Sequence, residues 1–216
     1  MRLDSKIIAI TGGSQGLGRA LAKACCREGA RVAIIGRDFH KLESVRKEIG
    51  ERVVCFPCDI GDSVEVSNTF KKIEAQMGGL DALVNNAGIY PIFKLETASD
   101  EQLRSVINTN LLGAMYACRE AIPLLKKSRG DIINVSSEAV RFYPPLLSVY
   151  TASKSALEAF SQSLRVELAP SGVRVAALRV GHLLREDPSP LDDETYELMI
   201  KTFEETGFMA STGEGM

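Results

Sequence analysis

The sequence predicts an α/β protein, a doubly wound parallel sheet sandwiched between two helical layers in a single domain. Three observations predict it. Short apolar runs alternate with amphipathic stretches along most of the chain, the pattern that strand–helix–strand units with right-handed crossovers leave. Those runs are apolar throughout instead of strictly alternating, as strands buried on both faces require. Glycines stand just past the amphipathic stretches, where a left-handed residue ends a helix. In order, strands are expected at Lys6–Ile10, Arg31–Gly36, Val53–Pro57, Ala82–Asn85, Asp131–Val135 and Val173–Arg179. Helical periodicity covers Gly16–Glu28, Phe39–Ile49, Ser63–Met77, Ser99–Ser128 and Tyr150–Ala169. Gly29, Gly50, the Gly78-Gly79 pair, Gly130 and Gly172 follow the helix ends, and Asp62 and Ser99 are placed to cap helix starts. From Gly181 the pattern changes to a Pro/acid stretch at 186–190, a helix near Asp192–Glu205 and a Gly/Ser/Thr-rich end, with no seventh strand.

Composition narrows the function. The 216 residues carry 26 Lys and Arg against 28 Asp and Glu, a net charge of −2. That balance excludes a nucleic-acid binder working through bulk positive charge. No apolar run reaches the ~18 residues that would span a bilayer. The first residues lead straight into an apolar strand without a signal peptide. Five cysteines make an odd count, too few for a disulfide scaffold. The expectation is a reduced, cytoplasmic protein with neither membrane nor nucleic-acid partner.

The first strand runs into Thr11-Gly12-Gly13-Ser14-Gln15-Gly16-Leu17-Gly18 and then a helix. Such a unit points backbone N–H groups and the positive helix end at a phosphate. Gly12 suits a tight turn, Gly16 clears a Cβ from the path of a pyrophosphate, and Gly18 allows close helix–strand packing. In this position the turn points to a dinucleotide and a Rossmann-like sheet. Further along, Asn85-Asn86-Ala87-Gly88 follows the fourth strand, Ser137 ends the fifth, and Tyr150-Thr151-Ala152-Ser153-Lys154 opens a helix. Tyr150 and Lys154, four residues apart, share a helix face. A phenol with a pKa of about 10 is a poor acid or base near neutrality, and a neighbouring ammonium lowers that value. Ser137 sits at the strand end where such sheets present their sites, able to polarise a carbonyl oxygen.

Thr-Gly-x-x-x-Gly-x-Gly, Asn-Asn-Ala-Gly, the serine and Tyr-x-x-x-Lys, in that order, resemble the short-chain dehydrogenase/reductase family, over about residues 5–185. The resemblance implies a single nicotinamide-dependent domain that interconverts a small-molecule ketone or aldehyde and a secondary alcohol. It implies catalytic roles for Ser137, Tyr150 and Lys154, with Asn110 holding a water in a proton relay; Ser137 is preferred over Ser136, which packs behind it. Around the cofactor it places Gly12, Ser14, Gln15, Gly16, Leu17 and Gly18 of the turn, then Arg37, Asp59 and Ile60. On the nicotinamide side it adds Asn86, Ala87, Gly88, Tyr150, Lys154, Gly181 and Leu183, with Asn86 first a brace for the central sheet. The second strand ends Gly36-Arg37-Asp38. Gly36 leaves the ribose-binding acid position empty and Arg37 offers a fork suited to a 2′-phosphate. This pattern implies NADP(H) over NAD(H), although Asp38 is a rival ribose ligand. A homodimer or homotetramer is implied through the helices near 107–127 and 150–168.

Several features point elsewhere and are set aside. Cys55-Phe56-Pro57-Cys58 looks like a redox dithiol, but it lies in a strand and turn, not at a helix N-terminus. His40 and His182 are the only histidines, so no metal site is expected. Tyr90, Phe142 and Tyr143 are read equally as core or pocket lining. The family's Pro-Gly after the sixth strand is Val180-Gly181 here, its cofactor-contacting threonine is Arg185, and Val140 replaces a frequent glycine. Members usually close with a seventh strand and a helix, so the chain is expected to continue past Met216, or the edge to be covered by a partner. Residues 186–216 are read as part of a substrate-loop region. These departures keep open an alternative, a cofactor-binding sensor or scaffold without turnover.

Overall fold

The chain is described here by a computed structural model, over residues 1–181 and 192–208. Six strands form one parallel sheet: β1 Ile7–Thr11, β2 Arg31–Gly36, β3 Val53–Pro57, β4 Ala82–Asn85, β5 Asp131–Ser137 and β6 Arg174–Val180. Their order is β3-β2-β1-β4-β5-β6. The direction of winding reverses between β1 and β4, and the crevice outside the strand ends at such a reversal is where this architecture binds ligands.

The helices are α1 Gly16–Arg27, α2 Phe39–Ile49, α3 Ser63–Met77, α4 Asp100–Ile107, α5 Gly113–Ser128, the single turn α6 Ala139–Phe142, α7 Ser148–Leu168 and α8 Asp193–Thr206. Two cores result. Below the sheet, Val66, Phe70 and Ile73 of α3, Ala117 and Leu124 of α5, and Leu164 and Leu168 of α7 pack on Ala9, Leu83 and Ile132. Above it, Ala22, Leu42 and Val45 of α1 and α2 pack on Ile10, Val32 and Ile34. Both faces of the central strands are covered, which is why those segments read as unbroken apolar runs.

Local capping follows the sequence. Asp62 accepts from the N–H groups of Val64 and Glu65 at 2.8 and 3.0 Å. Ser99 and Gln102 form a reciprocal capping box. Two expectations are corrected. The helix anticipated over Ser99–Ser128 is divided by a π turn at Asn108–Leu112, for which apolar periodicity gives no signal. At the end of α5 the left-handed residue is Arg129 (φ 52°), not Gly130. Gly130 is instead required by proximity, because a Cβ there would collide with the Asp81 carbonyl oxygen. Among the described residues no helix is long and apolar enough to cross a membrane.

Candidate active site

The glycine turn between β1 and α1 is built as a cradle. Gly12 has φ +66°, and a Cβ on it would lie 2.9 Å from the Ala87 Cα. A Cβ on Gly18 would collide with the Gly12 carbonyl oxygen, so the helix start is drawn tightly onto the turn. Gly16 differs: with φ +49°, its Cβ position has no atom within 4 Å and faces open space. No side chain caps α1, which leaves its first N–H groups and positive end for an anionic ligand. These features fit a dinucleotide phosphate.

The end of β4 braces this turn. The Asn86 amide donates to the carbonyls of Thr11 and Gly12 at 2.9 and 3.2 Å. The Thr11 hydroxyl accepts from the Asn86 and Ala87 N–H groups, both at 3.0 Å. Thr11 thus has a role in the site beyond its place in the motif. At the end of β2, Ser14 Oγ lies 3.6 Å from where a Gly36 Cβ would be, so the missing side chain keeps the space beside the turn clear. Arg37 is exposed there, while the Asp38 carboxylate is engaged as the cap of α2, accepting from the Lys41 N–H at 3.1 Å. Asp59 accepts from the Gly61 N–H at 2.9 Å, and Ile60 is buried.

The four expected catalytic side chains converge. The Ser137 hydroxyl accepts from the Ala139 N–H at 3.1 Å and is close enough to the Tyr150 phenol to draw its pKa down. Lys154 Nζ lies 6.0 Å from the centre of the Tyr150 ring and donates to the Val135 carbonyl at 2.7 Å. The Asn110 side chain sits in the π turn and is held at three points. It accepts from the Ile89 N–H and donates to the Ile89 carbonyl, both at 2.8 Å. It also donates to Ser153 Oγ at 3.1 Å. A Cβ on Gly88 would lie 3.4 Å from both Asn110 Oδ1 and Lys154 Nζ, which puts the Asn-Asn-Ala-Gly segment against the same groups. The edge-on ring of Tyr90 lies 6.1 Å from that of Tyr150.

The electrostatics depart from expectation at one point. Burial raises the Tyr150 phenol above its ordinary value, with the Ser137 hydrogen bond pulling the other way. The anticipated lowering by Lys154 is not what dominates, because the ammonium is turned onto the Val135 carbonyl. Burial lowers Lys154 itself to about 8.

Other expectations resolve by position. Ser136 packs behind the site, donating to Glu158 Oε1 at 2.7 Å. Burial pushes the Cys55 thiol up to about 12 and raises Cys58, the opposite of an activated dithiol. All five cysteines are free. Phe142 and Tyr143 are exposed, not core. At Gly181 a Cβ would lie 2.8 Å from Glu138 Oε2. Leu183 and Arg185 lie outside the described residues. The sequence reading missed a buried polar chain, Asn85 to Asn134 at 2.8 Å and Asn134 to Ser161 at 2.8 Å, that ties β4, β5 and α7 together. Two asparagines within apolar strands were its signal.

Comparison with known proteins agrees with this fold. The sequence model described as short chain dehydrogenase matches residues 6–186. A 3-oxoacyl-[acyl-carrier-protein] reductase from Bos taurus is 35% identical over 190 residues, covering 88% of this chain and 80% of that one. Carbonyl reductase family member 4 from Xenopus laevis is 32% identical, covering 91% and 83%. The crystal structure of a 3-ketoacyl-(acyl-carrier-protein) reductase from Brucella melitensis complexed with NADH superposes with a TM-score of 0.80 at 31% identity, covering 83% of this chain and 76% of that one.

Proposed function

The chain belongs to the short chain dehydrogenase family, oxidoreductases that couple a carbonyl and its alcohol to a nicotinamide cofactor, and on that premise we propose that it is an NADP(H)-dependent enzyme interconverting a ketone or aldehyde and its alcohol. The observation that carries the reading is the convergence of Ser137, Tyr150, Lys154 and Asn110 beside an open-sided glycine cradle. The same convergence disfavours a sensor that has lost turnover. The exposed Arg37, with Asp38 engaged as a cap, supports NADP(H); the NADH complex belongs to the Brucella enzyme.

The bound nicotinamide supplies or accepts the hydride. Ser137, fixed at the end of β5, donates its hydroxyl proton in a hydrogen bond to the carbonyl oxygen and stabilises the charge that develops there. Tyr150 delivers its proton to that oxygen in reduction and takes it back in oxidation. A phenol raised by burial is protonated at neutral pH, the form an acid needs. Lys154, a residue only 4% exposed, opposes the negative charge left on the phenolate and offers donors to the nicotinamide ribose. Asn110, locked to Ile89 and Ser153, holds the π turn against α7 and supports the proton path from Lys154. Five unpaired thiols support a reducing, cytoplasmic setting.

Replacing Tyr150 by Phe removes one oxygen from this arrangement. General-acid catalysis contributes about 10²–10⁴-fold, so kcat on an accepted ketone should fall by that factor. NADPH affinity should change far less, because the proton transfer is made in the transition state. A Phe variant keeping more than about a tenth of parental kcat would overturn the assignment of Tyr150 as the acid.

A further inference from the structure

Three consecutive residues of β5 each meet one side chain of α7, and those side chains are spaced four apart along the helix. Ser137 stands beside Tyr150, the Val135 carbonyl accepts from Lys154, and Ser136 donates to Glu158 at 2.7 Å. The first two contacts belong to the proposed chemistry. Glu158, one turn beyond Lys154, does not face the substrate. Its carboxylate is gripped from a second strand as well, because Arg179 Nε and Nη2 donate to its two oxygens at 2.8 and 2.7 Å. Ser136 and Arg179 are register partners in the β5–β6 ladder. The two therefore stand side by side on the sheet face that carries α7, and one carboxylate spans both.

We propose that Ser136, Glu158 and Arg179 form a clamp that fixes the register of α7 on β5 and so positions Tyr150 and Lys154 against Ser137. The apolar contacts of α7, made by Leu157, Leu164 and Leu168, are non-directional and tolerate sliding along the strands. Directed bonds do not, and a bidentate Arg–carboxylate pair constrains direction as well as distance. Lower on the helix, Ser161 is bonded by Asn134, and Arg165 donates to the Val175 carbonyl. Glu158 is the last such anchor before the reacting groups, with a side chain only 18% exposed. A misplacement of about 1 Å at reacting groups can cost ~10²-fold in rate, so an anchor one turn away from Lys154 bears on turnover without touching substrate.

The proposal rests on the reductase reading for its kinetic test, and a second readout is independent of that reading. In Glu158→Ala, kcat on an accepted ketone should fall about tenfold or more, while NADPH affinity, carried mainly by the glycine turn away from α7, should fall by much less. Glu158→Gln keeps an oxygen for Ser136 and should recover much of the lost kcat. Ser136→Ala, which deletes one hydroxyl, gives the same measurement should the Glu158 variants fold poorly. Amide hydrogen exchange supplies the second readout: protection in the turn from Tyr150 to Lys154 should drop in Glu158→Ala while residues 161–168 keep theirs. A parent with no turnover would defeat the reductase reading and leave the exchange experiment to decide the clamp. Unchanged kcat and unchanged exchange overturn the clamp. So does a loss shared equally by kcat, NADPH affinity and exchange along all of α7, which marks Glu158 as a general stabiliser.

Discussion

Lys154 meets two demands that oppose each other. Its ammonium must stand beside Tyr150, yet it is 4% exposed, and burial lowers its pKa from 10.5 to about 8. Because the folded-state value lies below the unfolded one, the unfolded chain holds the proton more tightly between those two pH values. The penalty for burying the charge is present in full below about pH 8 and is relieved as pH rises towards 10.5. Measured against Lys154→Met, unfolding free energy of the parent should therefore climb between pH 8 and 10.5, by on the order of 3 kcal/mol. Parallel stability curves for the two proteins would contradict this account of the site. Arg37 presents the reverse case, a charge held in solvent. If its guanidinium pairs with a 2′-phosphate, Arg37→Ala removes a charged hydrogen bond worth roughly 1.5–3 kcal/mol, about ten- to a hundredfold in affinity. Calorimetry should show weaker NADPH binding and nearly unchanged NADH binding; equal losses for both would remove the case for NADP(H).

At the scale of elements, the turn between β1 and α1 separates two uses of glycine that look alike in sequence. Gly16→Ala places a Cβ in open space at a positive φ, a strain of roughly 1–2 kcal/mol, and the methyl occupies the side from which a phosphate would approach. Gly18→Ala drives a Cβ into the Gly12 carbonyl, an overpacking clash of about 1–3 kcal/mol. Thermal melts should therefore show the larger destabilisation in Gly18→Ala, and titration should show that Gly16→Ala weakens NADPH binding even where the protein remains folded. The reverse ranking would mean that the cradle is oriented differently. The contrast also marks what was legible beforehand. Position in the motif alone singles out both glycines, and the six strands are readable because burial on both faces leaves apolar runs that need no partner to be read. The π turn at Asn108–Leu112 was not legible, since a single wide turn leaves the apolar period nearly unchanged. Nor was the requirement for Gly13, whose Cβ would lie 2.7 Å from the Ile34 Cβ. That contact joins the turn after β1 to β2 and exists only once the sheet has formed. At the site, the residue types and order of Ser137, Tyr150 and Lys154 were readable. The direction of the Lys154 ammonium was not, because it depends on a carbonyl nineteen residues away.

At the scale of the whole molecule, α7 has a second face. Its buried side carries Leu157, Ser161, Leu164 and Leu168, while Ala152, Ala159 and Val166 recur every seven residues on the exposed side. Val166 is 75% exposed, a β-branched apolar side chain left largely in solvent. Small residues in such a row permit close approach of another helix, and closed two-fold assemblies of like chains bury the same patch on both copies. On β6, one of the two edge strands of the sheet, Leu178 is also 47% exposed, and an apolar edge of this kind is a liability unless it is covered. The expected state is therefore a homodimer or homotetramer whose interface includes the outer face of α7. Light scattering should give twice or four times the chain mass at micromolar concentration. Val166→Arg would bring two like charges together across a two-fold axis and should shift the population towards monomer, with the fold retained because that side chain makes no core contact. A parent chain that is already a monodisperse monomer would show that these apolar positions are tolerated in water and that the site is complete within one copy.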